Sequence, residues 1–243
     1  MKIFNRKMQS LAIIPARGGS KSIVNKNIKL FNGKPLIAWT IEQALSSGVS
    51  RVVVTTDSKE IREVAISFGA EVPFLRSADL ATDCMGIEPV LIDVLEQLKI
   101  KESYFPDCVV LLMPTTPFRI FEDIDAALET YQGGSITSVV SVTPAIANNN
   151  PYWMLKEEDN GCVRLFNGQD LSKIRIRRQE LPEVFIRNDF VYVLDPRNLY
   201  MITPGLYGDN VKLMKAADDR LDVDINTNID WDIAESLFNK GRK

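Results

Sequence analysis

The chain has 243 residues, 45% of them hydrophobic and 25% charged, which suits one large α/β domain of ordinary globular composition. A net charge of −3 argues against a broad electrostatic grip on nucleic acid, and no apolar run approaches the roughly 18 residues of a membrane span. The chain contains no histidine, which excludes a Ser-His-Asp triad, histidine-ligated zinc and the usual neutral-pH base. Chemistry must then rest on carboxylates, Lys, Arg, Tyr, hydroxyls or an acquired metal.

The charged N-terminus leads into a strand, not into a signal sequence. Leu11–Ile14 reads as a buried strand, and Pro15-Ala16-Arg17-Gly18-Gly19-Ser20-Lys21 follows it. Two glycines allow backbone N–H groups to turn toward an anion, and Arg17, Lys21 and Lys26 lie close enough in sequence to neutralise a polyphosphate. The stretch matches neither G-x-x-x-x-G-K-[ST] nor G-x-G-x-x-G. An ordinary glycine turn with solvated lysines is the equal alternative at this point. Pro35 opens a helix that shows Ile37, Ile41, Ala44 and Leu45 on one face and stops at Gly48. A strand from Arg51 follows, with Asp57 at its C-terminal end, and then a helix from Lys59 to Phe68 closed by Gly69. Ile87, Val90, Leu91, Val94, Leu95 and Leu98 form a helical stripe. Cys108–Met113 is another buried strand, ending in Pro114-Thr-Thr-Pro117. A helix from Glu122 to Tyr131 and a strand over Ile136–Val142 complete the alternation.

This alternation predicts a doubly wound, mostly parallel sheet, in which ligands bind beyond the carboxyl ends of the strands. Arg17-Gly18-Gly19, Asp57 and Pro114-Thr115-Thr116 all sit at such ends. The pattern breaks between Thr143 and Asn188, an excursion punctuated by Pro144, Pro151 and Gly161. Within it, Ser172–Arg178 alternates apolar and basic residues, as a half-exposed strand does; a solvated edge strand with cationic gatekeepers is the plain alternative. Phe190–Leu194 and Val211–Met214 return to the core, and a helix runs from about Asp230 to Phe238. Asp222-Val-Asp224 places two carboxylates on one side of an extended segment, which suits Mg²⁺ beside a polyphosphate. A merely acidic turn, with Asp218, Asp219, Asp230 and Asp232 nearby, is the alternative. Cys84, Cys108 and Cys162 are odd in number, widely spaced and without a zinc pattern, which fits a reducing cytoplasm.

Taken together, these residues resemble the CMP–sialic acid synthetase (N-acylneuraminate cytidylyltransferase) family. The resemblance runs from Leu11 to Asp224. It rests on Ile14–Lys21 with Asn25-Lys-Asn-Ile28, Gly33-Lys-Pro-Leu36, Val54-Thr-Thr-Asp57 and Val72-Pro-Phe-Leu-Arg76. Leu80-Ala81 with Asp83, Pro114-Thr-Thr-Pro-Phe-Arg119, Arg178-Gln-Glu-Leu-Pro182 and Asp222-Val-Asp224 complete it. It implies a Rossmann-like nucleotidyltransferase, a single domain over 1–243, with residues 143–188 as a dimerisation arm and a homodimer as the working state. The implied reaction joins CTP to the C2 hydroxyl of a nine-carbon 2-keto sugar acid and releases pyrophosphate.

By that resemblance, Arg17, Gly18, Gly19, Ser20, Lys26 and Asn27 hold the triphosphate and ribose, and Arg76 recognises cytosine. Arg17, Lys26 and Asp222 carry the chemistry, and Asp222 and Asp224 hold Mg²⁺. Thr115, Arg178 and Gln179 meet the sugar acid, Arg178 across a subunit boundary. Met113 and Trp153 stand where relatives carry Gln and Lys, which bears on the sugar pocket. Two alternatives follow: a CTP-binding protein without transfer, or a cytidylyltransferase for another acceptor such as a Kdo-like sugar or a phosphonate.

Overall fold

A computed structural model describes residues 8–132, 135–216 and 222–240. Its centre is a six-stranded sheet. β1 (Ser10–Pro15) is followed by a small hairpin of β2 (Leu30–Phe31) and β3 (Lys34–Pro35), then α1 (Leu36–Ser46), β4 (Arg51–Thr55) and α2 (Lys59–Ser67). Next come α3 (Ile87–Glu102), β5 (Cys108–Leu111), α4 (Phe121–Tyr131) and β6 (Ser138–Pro144). A second hairpin, β7 (Leu155–Glu157) with β8 (Val163–Leu165), precedes β9 (Phe185–Leu194), β10 (Val211–Lys215) and α5 (Asn228–Lys240). Across the sheet the order is β10-β6-β9-β5-β1-β4.

Alternation of side chains in β1 explains the layering. Ala12 and Ile14 join Ile37, Ile41 and Ala44 on the α1 side, whereas Leu11 and Ile13 join Leu91, Val94 and Leu95 on the α3 side. Both faces are covered, so the strand reads as an unbroken apolar run. A third cluster seats α5: Phe31 packs edge-on against Trp39, Phe118, Trp231 and Phe238, with ring centroids 5.6–6.4 Å apart. Asn32 and Gly33, with φ of 48° and 90°, make the two-residue turn that aims Phe31 at this cluster.

β1 pairs in parallel with β4 on one side and β5 on the other. The helices that follow β1 and β5, α1 and α4, pack on the same face of the sheet, and a crevice lies beyond the C-terminal ends of these two strands, lined by Pro15 and Arg17 after β1 and by Met113 and Thr115 after β5. β6 and β10 are also parallel. β9 alone runs antiparallel, against both β5 and β6. Pro144 pairs with Phe185, so β6, residues 145–184 and β9 form one very long hairpin. Its excursion emerges at the same end of the sheet as the crevice.

One expectation is corrected inside that excursion. Ser172–Arg178 is not a strand. It consists of two 3-10 turns, Leu171–Lys173 and Arg178–Glu180, joined by extended residues that pair with no described strand. The local ties are specific: the Trp153 indole donates to the Arg175 carbonyl at 2.5 Å, and the Arg175 guanidinium lies 4.9 Å from the Tyr152 ring. A period of two without a partner edge leaves the ladder hydrogen bonds unmade, and turns satisfy the backbone instead.

Candidate functional site

The crevice holds a cavity of about 340 Å³. Seven of the sequence-predicted residues line it: Arg17, Ser20, Lys26, Asn27, Arg76, Thr115 and Asp224. Gly18 and Gly19 do not. The Gly18 N–H donates to the Asp57 carboxylate at 3.0 Å and is not turned toward the cavity, which corrects the first reading of this loop. A Cβ on Gly18 would meet the Ser58 Cβ at 3.0 Å, so glycine is set by the approach to the start of α2. Gly19 is exposed, and a Cβ there would meet nothing within 4 Å.

Asp57 organises one wall. Besides Gly18, it stands 3.7 Å from the Arg76 guanidinium, and the Arg76 N–H donates to the Thr56 carbonyl at 2.8 Å. Arg76 is 6% exposed and its Nε has no partner among the described residues. Burial lowers its pKa and Asp57 counteracts that. A buried guanidinium with an unused N–H is suited to a planar polar ligand.

Arg17 and Lys21 both pair with Asp83, each at 2.5 Å, and these cations hold the Asp83 carboxyl below the usual range. Lys26 reaches inward instead. Its Nζ donates to the Ile225 carbonyl at 2.8 Å. Burial is the largest influence on its pKa and lowers it; Asp224 opposes and Arg17 adds to the lowering. Asn27 ties the loop down by donating to the Arg17 carbonyl at 3.0 Å.

On the opposite wall, the Ile225 N–H donates to the Thr115 carbonyl at 2.9 Å, joining the loop after β5 to the Asp222–Asp224 segment. Asp224 accepts from the Asn226 amide at 2.6 Å through Oδ2, while its buried Oδ1 has no partner. Asp222 accepts from the Thr143 hydroxyl at 2.8 Å. Burial raises its pKa, with Asp189 and Asp224 adding to the rise and Thr143 opposing it. A partnerless carboxylate oxygen two residues from a second, partly exposed carboxylate suits a hard divalent cation. No group of three or more His, Cys, Asp or Glu ligands closes on one point among the described residues. Any ion held by the pair would complete its shell with phosphate oxygens or water.

The two aspartates open into different spaces. Asp222 lines a second cavity, of about 630 Å³, with Thr143, Ile146, Arg178 and Glu183. Arg178 thus lines the same cavity as Asp222 of its own chain. Gln179 is exposed and lines neither cavity. Asp218 and Asp219 lie outside the described residues.

Three contributors escaped the sequence reading of the site. Asp83 belongs to a recognised motif but carried no role. Asp189 lines the first cavity from β9, immediately before the apolar run that begins at Phe190. Arg119 is fully buried; it donates to the Phe190 carbonyl at 2.6 Å and to Thr40 and Thr116 hydroxyls at 2.7 and 3.1 Å. It fixes the strand ends beneath the cavity.

A family model described as Cytidylyltransferase matches residues 11–210. The chain is 38% identical over 232 residues to a CMP-N,N'-diacetyllegionaminic acid synthase of Legionella pneumophila, covering 95% of this chain and 97% of that protein. It is 33% identical over 232 residues to an N-acylneuraminate cytidylyltransferase of Escherichia coli, covering 95% of this chain and 52% of the relative. Among solved structures, a CMP:2-keto-3-deoxy-manno-octonic acid synthetase complexed with CTP shares the fold. Its TM-score is 0.71 at 16% identity, over 96% of this chain and 99% of the other.

Proposed function

The chain belongs to the cytidylyltransferase family, and on that premise we propose that it joins CTP to the C2 hydroxyl of a nine-carbon 2-keto sugar acid. The acceptor oxygen attacks the α-phosphorus and gives its hydroxyl proton to a carboxylate of the Asp222–Asp224 pair, the bond from that phosphorus to the β-phosphate bridging oxygen breaks, and pyrophosphate leaves, giving the CMP-sugar. Such a transfer needs little covalent work from the protein, so alignment and charge neutralisation carry it. The observation that carries this reading is the convergence of Arg17, Lys26, Arg76 and Asp224 on one crevice.

Each residue then has a role that its surroundings support. Arg76, buried and holding an unused N–H, receives the cytosine. Ser20 and Asn27 line the path of the ribose and phosphates, and Thr115 the floor on the acceptor side. Arg17 exchanges Asp83 for a phosphate oxygen, and Lys26 brings a second cation to the triphosphate. Asp222 and Asp224 would hold Mg²⁺, which would supply charge screening of the triphosphate. Arg178, which lines one cavity with Asp222, takes the acceptor carboxylate, with Gln179 at the rim.

The acceptor is a nonulosonate of the legionaminic or sialic class. Full-length similarity to a diacetyllegionaminic acid synthase favours the former, and Met113 in the cavity wall offers a thioether to an apolar substituent. Residues 145–184 serve as the arm of a homodimer. Met154, Phe166, Leu171 and Ile176 are all exposed along it, Ile176 at 85%, and a second copy of the chain is the occupant that an identical arm would meet. Three free cysteines, two of them exposed, support a reducing cytoplasm as the place of action.

Pyrophosphate release tests the reaction. It should require CTP, Mg²⁺ and one acceptor from a panel of legionaminic, sialic, pseudaminic and Kdo-type acids, with the legionaminic class fastest. Asp224→Asn should keep the fold and lower turnover by about two orders of magnitude. Tight CTP binding with no release for any acceptor would leave a nucleotide-binding protein in place of the transferase.

A further inference from the structure

Asp189 has an unusual backbone. Its φ is +55° in the middle of β9, the left-handed region that favours glycine and that an L-residue adopts at an energetic cost. The cause lies in the pairing with β6. Val140 faces Tyr192 but Val142 faces Arg187, so the register shifts and residues 188–191 bulge. Side chains hold the bulge from beneath. Ser141 donates to the Asn188 Oδ1 at 2.6 Å, the Phe190 N–H donates to the same oxygen at 3.2 Å, and the Val191 N–H donates to the Ser141 hydroxyl at 2.8 Å. Arg119 secures the Phe190 carbonyl from the other side.

The outcome is a carboxylate at the crown of the bulge, lining the first cavity with Arg17, Lys26, Met113 and Asp224. The Tyr192 hydroxyl donates to its Oδ1; among the described residues Oδ2 receives no hydrogen bond. In a site for a triphosphate, a third carboxylate is electrostatically unfavourable for the nucleotide. It therefore belongs to a ligand that brings hydrogen-bond donors. Position agrees: Asp189 shares its cavity with Met113 and Thr115 from the loop after β5, on the wall that Asp224 also lines.

We infer that Asp189 is a specificity-determining residue for the acceptor, its carboxylate accepting a hydrogen bond from a hydroxyl or an acylamino N–H of the sugar acid. The inference rests on the transferase reading above. A strained, negatively charged residue is retained where glycine fits the backbone better, because glycine offers the acceptor nothing. Tyr192 is the positioning partner that orients the carboxylate.

The test begins with wild-type pyrophosphate release over the acceptor panel; no release with any acceptor would remove the transferase reading itself, and this inference with it. Given release, Asp189→Gly is informative because φ of +55° suits glycine, so the fold should persist with a thermal midpoint within about 3 °C of wild type. The acceptor KM should rise about tenfold or more. The CTP KM and the Mn²⁺ affinity of the CTP complex, read by electron paramagnetic resonance, should stay within about threefold of wild type. Tyr192→Phe should raise the acceptor KM by a smaller factor and leave the CTP KM alone. An unchanged acceptor KM in Asp189→Gly would overturn the inference. So would a loss of Mn²⁺ affinity equal to the loss of turnover, which would give Asp189 to the metal instead.

Discussion

At the scale of single residues, three cations of similar standing in the sequence are separated by burial and geometry. Lys21 and Arg17 share Asp83, but the Lys21 side chain is 82% exposed and that of Arg17 34%. Lys26 is fixed against the Ile225 carbonyl and lowered in pKa by burial. An exposed ion pair contributes little and is screened by salt, whereas a cation in a partly desolvated wall acts at full strength on a ligand. Lys26→Met should therefore lower kcat/KM for CTP by about 10²-fold. Lys21→Ala should change it by less than about threefold. Equal losses in steady-state kinetics would reverse this ranking. The two glycines show the opposite lesson. They look like an anion cradle in the sequence, yet Gly18 gives its N–H to Asp57 and its missing Cβ makes room for Ser58.

At the scale of elements, the crevice depends on how strand ends are held, and Arg119 is the main tie. Its guanidinium reaches the Phe190 carbonyl on β9, the Thr40 hydroxyl on α1 and the Thr116 hydroxyl after β5. Because it is fully buried, none of these acceptors gains water if the guanidinium is removed. Arg119→Met should cost about 3–5 kcal/mol by leaving several buried groups unpartnered. Arg119→Lys should recover part of that loss. Urea denaturation measures both, and a loss under about 1 kcal/mol for Met would show that the loop and strands are held without it. The sequence made the elements legible because β1, β4 and β5 are covered on both faces and α3 carries a clean stripe. It did not make the direction of β9 legible. An apolar run such as Phe190–Leu194 has the same composition whether it runs parallel or antiparallel; its direction follows from the excursion, which returns the chain to β6 as a hairpin. The bulge at Asp189 is hidden for the same reason, since register belongs to a pair of strands.

At the scale of the whole molecule, the excursion over residues 145–184 is the least self-sufficient part. Its hairpin of β7 and β8 is exposed on most positions and pairs with no strand of the main sheet. Apolar side chains such as Phe166 and Ile176 are largely exposed among the described residues. A homodimer through the arm should give twice the 27.3 kDa chain mass in light scattering. Replacing Phe166 and Ile176 together by Ser should shift the protein toward monomer at micromolar concentration while the circular dichroism of the main sheet persists. A monomeric wild-type protein would remove the dimer from the proposal.

The amino-acid sequence alone determined the alternation of strand and helix, the crevice end of the sheet, the basic loop after β1 and the acidic pair before α5. Each of these follows from local periodicity or from residue type at a chain position. Only the tertiary structure decided which of those groups meet. It put Asp224 and Asp222 in different cavities, tied the Gly18 N–H to Asp57, brought Arg178 to the cavity that Asp222 lines and raised Asp189 on a bulge. The physical reason is common to all four: each depends on partners far apart in the chain, whose distance, burial and register are fixed when the strands pair.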